Sequence, residues 1–129
     1  MEKPTTSLIG QIAITVSSIE KTLPFYQDVL GLDFLFSAGP DLAFLQSGET
    51  RIMLSTPQGG GAEIGKNSVL YFTVEGIEDA YKAMVERGGE GERGPQMAAD
   101  MGDTQLWLAF LRDPDRNLIG LMEERSSVG

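Results

Sequence analysis

The sequence predicts an α+β fold of two tandem βαβββ modules forming a curved mixed sheet around a central cleft, and three observations predict it. First, Leu42-Ala43-Phe44-Leu45 leads through a polar turn to Ile52-Met53-Leu54, and Leu108-Ala109-Phe110-Leu111 leads through a turn one residue longer to Ile119-Gly120-Leu121. Second, a constant offset of 58 superposes Val16 on Val74, Ile19 on Ile77, Glu20 on Glu78 and Gly31 on Gly89. Third, a strand followed by a helix and further strands is read on either side of Pro57-Gln58-Gly59-Gly60-Gly61, with three strands after the helix in module 1 and two, beyond an irregular stretch, in module 2. Self-similarity at a fixed period reports a repeated supersecondary unit. The reading is one domain over 1–129, with module 1 at 8–56, a linker at 57–66 and module 2 at 67–124.

In module 1, residues 9–16 alternate, with Ile12, Ile14 and Val16 on one side and Gln11, Ala13 and Thr15 on the other. That is the period of a strand with one buried face. Ser17 and Ser18 offer an N-cap, and Ile19, Leu23, Tyr26 and Leu30 recur at helical spacing until Gly31. Pro24 falls inside this helix and is expected to kink it or to mark a later start. Strands are then expected at 34–36, 42–46 and 51–55, separated by Gly-Pro-Asp and Ser-Gly-Glu turns.

In module 2, a strand at 69–74 precedes a helix from about Ile77 to Arg87, ended by Gly88-Gly89. Residues 90–102, rich in Gly and Met, read as an irregular mobile cover or a plain long connection. Strands at 106–111 and 117–122 close the module, and 125–129 is expected to fray.

Composition narrows the chemistry. With 41% hydrophobic and 22% charged residues, the 129-residue chain has ordinary globular composition. It has no cysteine and no histidine, which removes thiolate and imidazole ligands, thiol nucleophiles and the usual general base. The net charge of −9 disfavours nucleic acid and anionic membranes and more easily accommodates a neutral or cationic ligand. The apolar runs fall short of the ~18 residues of a spanning helix and no signal peptide opens the chain, so a cytoplasmic protein is the expectation.

Strand parity then proposes a site. With Ile12, Ile14, Val16, Leu70, Phe72 and Val74 placed under the helices, the opposite set faces the cleft. The cleft residues are expected to be Gln11, Ala13, Arg51, Met53, Val69, Tyr71, Trp107, Leu118, Gly120 and Met122, with Ala109 beside them. Gln11 either hydrogen-bonds a ligand or satisfies itself against Thr15, Tyr71 or Arg51, and Arg51 pairs with an acidic ligand group or with Glu49 in the turn. Asp113 and Asp115 are read as turn residues bonding backbone amides rather than as catalytic carboxylates.

At this point the chain resembles the vicinal oxygen chelate superfamily, which includes glyoxalase I, extradiol dioxygenases and bleomycin-resistance proteins. The residues that carry the resemblance are Phe25-Tyr26-Gln27-Asp28-Val29-Leu30-Gly31 and Phe110-Leu111-Arg112-Asp113-Pro114-Asp115-Arg116-Asn117-Leu118. It covers nearly the whole chain and implies paired modules, usually in a homodimer. In metal-dependent members it also implies a divalent ion held at one matching position in each first and each fourth strand. Carried over, those positions are Gln11, Met53, Val69 and Gly120.

One amide, one thioether, one isopropyl group and one hydrogen atom cannot supply the hard donors such ions need. Glu123 and Glu124 are the nearest carboxylates that could substitute. Arg116 departs from the glycine usual in the family's turn, which implies a changed or mildly strained backbone there. The resulting expectation is a protein without metal or other cofactor that binds a small apolar or cationic molecule between the modules by sequestration. The alternative is a glyoxalase-like lyase or isomerase with a displaced metal site, or a metal-free catalyst using Tyr71 or Glu123.

Overall fold

The computed structural model describes residues 5–57 and 63–127. Module 1 consists of β1 (Gln11–Thr15), α1 (Ile19–Pro24) continued by a π-helical turn (Phe25–Val29), β2 (Asp33–Ser37), β3 (Leu42–Ser47) and β4 (Thr50–Ser55). Module 2 consists of β5 (Leu70–Thr73), α2 (Ile77–Glu86), β6 (Glu90–Asp100), β7 (Thr104–Arg112) and β8 (Leu118–Ser126). Each module folds into a four-stranded mixed sheet, in the orders β1-β4-β3-β2 and β5-β8-β7-β6. The first strand of each module pairs in parallel with its fourth, and the remaining pairings are antiparallel. Residues 58–62 of the expected linker lie outside the described residues.

Parity builds the core. Ile14, Val16, Ala43, Leu45, Ile52 and Leu54 pack beneath Phe25, Tyr26 and Val29, and Ile119 of the second module joins them. Ile77, Ala109, Leu111 and Leu121 form the companion cluster under α2. Each fully buried Leu or Ile contributes about 1.5–3 kcal/mol of transfer free energy. A one-residue slip of any central strand would turn its apolar set to solvent, so the register is strongly specified.

Ser18 caps α1 by accepting a hydrogen bond from Lys21 N. Pro24 lacks an N–H to continue the helical ladder, and the chain widens immediately after it, with Leu30 N donating to Phe25 O at 3.0 Å. Gly31, at φ 79°, then supplies the left-handed step that ends the turn.

Two expectations are corrected. Residues 90–102 do not form a loose cover: β6 runs along β7 from Glu90 to Asp100, with register shifts between Gly91 and Arg93, Arg93 and Gln96, and Met97 and Ala99. These bulges break the period-two alternation that would have announced a strand. The tail at 125–129 does not fray from Arg125: β8 continues to Ser126, and Arg125 bonds Glu78 and Glu123 while lying over the Trp107 ring. Val128 and Gly129 lie outside the described residues.

A buried polar knot ties the modules together. Asp113, 1% exposed, sits in the β7–β8 turn. Its Oδ1 accepts from Asp115 N and Asn117 N at 2.9 and 2.8 Å, and its Oδ2 accepts from Asn117 Nδ2 and Tyr26 Oη at 2.9 and 2.7 Å. Asn117 Oδ1 accepts from Asn67 Nδ2, and the Asn67 amide in turn bonds both backbone groups of Thr15. Ser17 donates from its backbone and hydroxyl to Asp115. Asp113 and Asp115 are thus turn residues, as expected, and Arg116 adopts the left-handed conformation at φ 72°.

Burial, followed by the nearby Asp113 carboxylate, pushes the Tyr26 hydroxyl well above its ordinary value of 10.0. Because the folded state raises this value, its contribution to stability is complete below pH about 10 and declines as the pH rises further. Tyr26→Phe is expected to cost about 2 kcal/mol in urea unfolding at pH 7, in the range for a bond to a charged acceptor. The difference between wild type and Tyr26→Phe is expected to shrink above pH 10, and a constant difference would contradict this account.

Candidate functional site

The helices cover one face of each sheet and leave the other open. Cross-strand partners share a face, so the registers define that open face directly. In module 1, one row carries Gln11, Arg51, Gln46 and Asp33, and the next carries Ala13, Met53, Phe44 and Phe36. In module 2, Tyr71, Gly120, Phe110 and Arg93 form one row, and Thr73, Met122, Leu108 and Gln96 another.

Gln11 is the hub of the first module's open face. Its Oε1 accepts from Arg51 Nε at 2.7 Å, and its Nε2 lies 3.7 Å from Met53 Sδ. Arg51 in turn lies over the Phe44 ring, with its guanidinium carbon 5.1 Å from the centroid. Phe36 stacks on the same ring at 4.7 Å. Of the partners considered for Gln11, Arg51 is the one it takes. Among the described residues Arg51 forms no ion pair, and Glu49 does not meet it.

In the second module Tyr71 folds over Gly120 and meets Phe110 edge-on, with centroids 5.8 Å apart. A Cβ at Gly120 would stand 2.6 Å from Tyr71 Cδ2, so the aromatic ring occupies the space a side chain would take. Cavities of about 260 and 320 Å³ share Arg93 and Phe110 as lining, and Leu118 lines the larger of these two. Met122 borders a cavity of about 420 Å³ with Thr73, Glu75 and Glu124, while Ala13 borders a crevice of about 170 Å³ between β1 and β5. Val69, just before β5, is 38% exposed.

Trp107 does not belong to this face, and neither does Ala109. Trp107 pairs with Glu123 and packs against the cluster under α2, and Ala109, fully buried, pairs with Leu121 in that same cluster. The reason is the length of the β7–β8 connection. Five residues separate Arg112 from Leu118, so even positions pair with even, and Gly120 shares its face with Phe110 rather than Ala109. Asp33, Phe36, Phe44, Gln46, Arg93, Gln96, Leu108 and Phe110 are the open-face residues that alternation in the sequence does not reveal. The duplicated Leu-Ala-Phe-Leu segment held the signal, since Phe44 and Phe110 are equivalent in both modules while Ala43 and Ala109 are both fully buried.

Glu123 is committed elsewhere. Its carboxylate accepts from Gly76 N and Ile77 N at 2.6 and 3.2 Å, at the start of α2, and from Arg125 Nε. Those backbone bonds, with Arg125, hold its pKa below the usual carboxylate range. It therefore caps a helix on the opposite face and is not available as a substitute ligand or base. Glu124 pairs with Leu106 at the exposed end of the open face.

The residues at the four positions that the resemblance implies for metal do not suit a divalent ion. Of the four, Gln11 alone offers an oxygen, and that oxygen accepts from a guanidinium cation, an arrangement that repels a second cation. Met53 presents a thioether, Val69 no donor, and Gly120 lies beneath an aromatic ring. Among the described residues, no group of three or more Asp or Glu could hold a metal ion.

Residues 8–121 match the glyoxalase/bleomycin resistance protein/dioxygenase superfamily. The chain belongs to that superfamily. It is 29% identical over 121 residues to an uncharacterized Bacillus subtilis protein, YraH, covering 84% of this chain and 92% of that protein. It is 26% identical over 122 residues to a lactoylglutathione lyase of Haemophilus influenzae, covering 88% of this chain and 90% of that one. An integron cassette protein from V. cholerae has the same fold, with a TM-score of 0.77 and 24% identity over 95% of this chain and 98% of its own.

Gly120→Ala is expected to displace the Tyr71 ring and to lower stability by about 1–3 kcal/mol, in the range for overpacking. Tyr71→Ala in the same chain should recover most of that loss, because the colliding partner is removed. Additive losses in the double-mutant cycle would show that the two positions do not collide.

Proposed function

We propose that this superfamily member works without a metal ion and binds a small molecule with a flat apolar body against the open face, holding it by sequestration rather than transforming it. The observation that carries the reading is the commitment of Gln11 Oε1 to Arg51. That bond removes the one hard donor the four inherited positions retain. Exposed aromatic surface supports the reading further: Phe36 and Tyr71 are 48% and 46% exposed, and each contacts the equivalent phenylalanine of the duplicated segment. Aromatic surface with a few polar groups is the usual composition of small-molecule sites.

The charge expectation needs a local reading. The net charge of −9 favours cations at long range, but fields from exposed charges fade over about 8 Å at physiological ionic strength. At contact range the open face presents Arg51 beside Phe44 and Arg93 beside Phe110. A purely cationic ligand therefore has weaker support than an apolar one.

A homodimer fits the exposed apolar positions Phe34 and Leu35 of the edge strand β2, and a cytoplasmic location is part of the same proposal. No helix among the described residues is long and apolar enough to cross a membrane. Lyase or isomerase chemistry with a displaced metal remains the alternative, favoured by the likeness to a lactoylglutathione lyase.

Elemental analysis after dialysis against nickel, zinc and manganese separates the two. The proposal expects substoichiometric metal, a melting temperature unchanged by chelator, and calorimetric binding of planar aromatic molecules below millimolar concentration. One equivalent of tightly bound metal, or turnover of a hemithioacetal, would overturn it.

A further inference from the structure

We propose that Arg51 is a carboxylate anchor, so that the ligand class of the module 1 open face is a small organic acid carried on a flat apolar body. This rests on the reading of that face as a small-molecule site and narrows its chemistry. Acidic residues outnumber basic ones 19 to 10. The other open-face sheet arginines and several elsewhere have carboxylates close by: Arg112 pairs with Glu92, Arg116 with Glu90, and Arg125 with Glu78 and Glu123, while Arg93 lies within the field of Glu92. Arg51 is instead held by two neutral groups, the Gln11 amide at 2.7 Å and the Phe44 ring at 5.1 Å.

Neutral partners orient the guanidinium without discharging it. Nε is used by Gln11, which leaves the paired Nη groups as the donors a carboxylate accepts from side by side. Asp33 is the acidic residue in the same row, two strands away across Gln46, which places it about 9–10 Å off in the sheet. Gln46 turns its own amide back to Gly48 O and does not bridge that gap.

Arg51 is exposed, so water competes with any anion and the guanidinium alone would bind weakly. The rest of the affinity has to come from apolar contact. Phe36 stacks on Phe44 in the adjoining row, with the two rings inclined by 28°, and Met53 lies next to them. An aromatic acid therefore satisfies both features at once, whereas a small inorganic anion uses the charge alone and a hydrocarbon uses the rings alone.

The test uses three planar probes of one shape: 2-naphthoate, its neutral carboxamide and the corresponding methylammonium compound. Each is titrated calorimetrically at low ionic strength into wild type, Arg51→Met, Arg51→Lys and the control Lys82→Met. The control makes the same charge change on an exposed residue of α2. Wild type and Lys82→Met are expected to bind the acid about tenfold tighter than the amide, the size of one modest charge-assisted bond. Arg51→Met should erase that ratio while keeping amide binding, and Arg51→Lys should retain part of it. Equal binding of acid and amide by wild type, preference for the ammonium probe, or a ratio that survives Arg51→Met would refute the anchor while leaving the small-molecule reading intact. Binding of none of the three below millimolar would sink both.

Discussion

A carboxylate with 1% exposure is costly unless its charge is met, and Asp113 meets it with four donors. Desolvating such a group costs several kcal/mol, so its retention ties down everything that supplies those donors. Two donors are backbone amides of its own turn, which fixes a five-residue connection between β7 and β8. A third is Tyr26 of the first module, which brings that module's helical segment against the second module's hairpin. The fourth, the Asn117 amide, passes the network to Asn67 and so to the free edge of β1. The turn thus decides two things at once: how the modules are joined and which side chains β7 and β8 present to the open face.

That dependence explains what could be read in the chain and what could not. The tandem modules, the strand and helix order and the turn role of Asp113 follow from local patterns of alternation, caps and turn residues. The face assignment of β1, β4, β5 and β8 follows too, because their alternation is regular. Alternation alone puts Trp107 and Ala109 on the wrong side, because parity across a hairpin depends on its length. A five-residue connection and a four-residue one give opposite answers from nearly identical sequence. The strand β6 was hidden for a different reason. Gly91, Gly94 and Pro95 accompany bulges that spoil the alternation, and nothing local distinguishes a bulged edge strand from a long loop.

Net charge and local charge are separate quantities for an equally physical reason. Exposed charges act over a short screened range, so a chain at −9 still presents positive groups where arginines are grouped with aromatic rings. Whole-chain charge bears on solubility and long-range encounter, while contact chemistry is set by the few groups within a Debye length. Arg51 and Gln11 together place a positive centre on the open face of an acidic chain. The Gln11 amide oxygen orients the Arg51 guanidinium.

The two halves have also diverged in complementary ways. At corresponding cross-strand pairs, module 1 sets a small first-strand residue against a large fourth-strand one, Ala13 opposite Met53, and module 2 reverses the order, with Tyr71 opposite Gly120. Close packing requires that volume lost on one strand be recovered on its neighbour. The Tyr71 ring does this, lying where a side chain at 120 would stand. A ligating side chain introduced at 120 would therefore meet an aromatic ring rather than open space. Any side chain placed at 120 needs a smaller residue at 71 as well, because the pair has to change together.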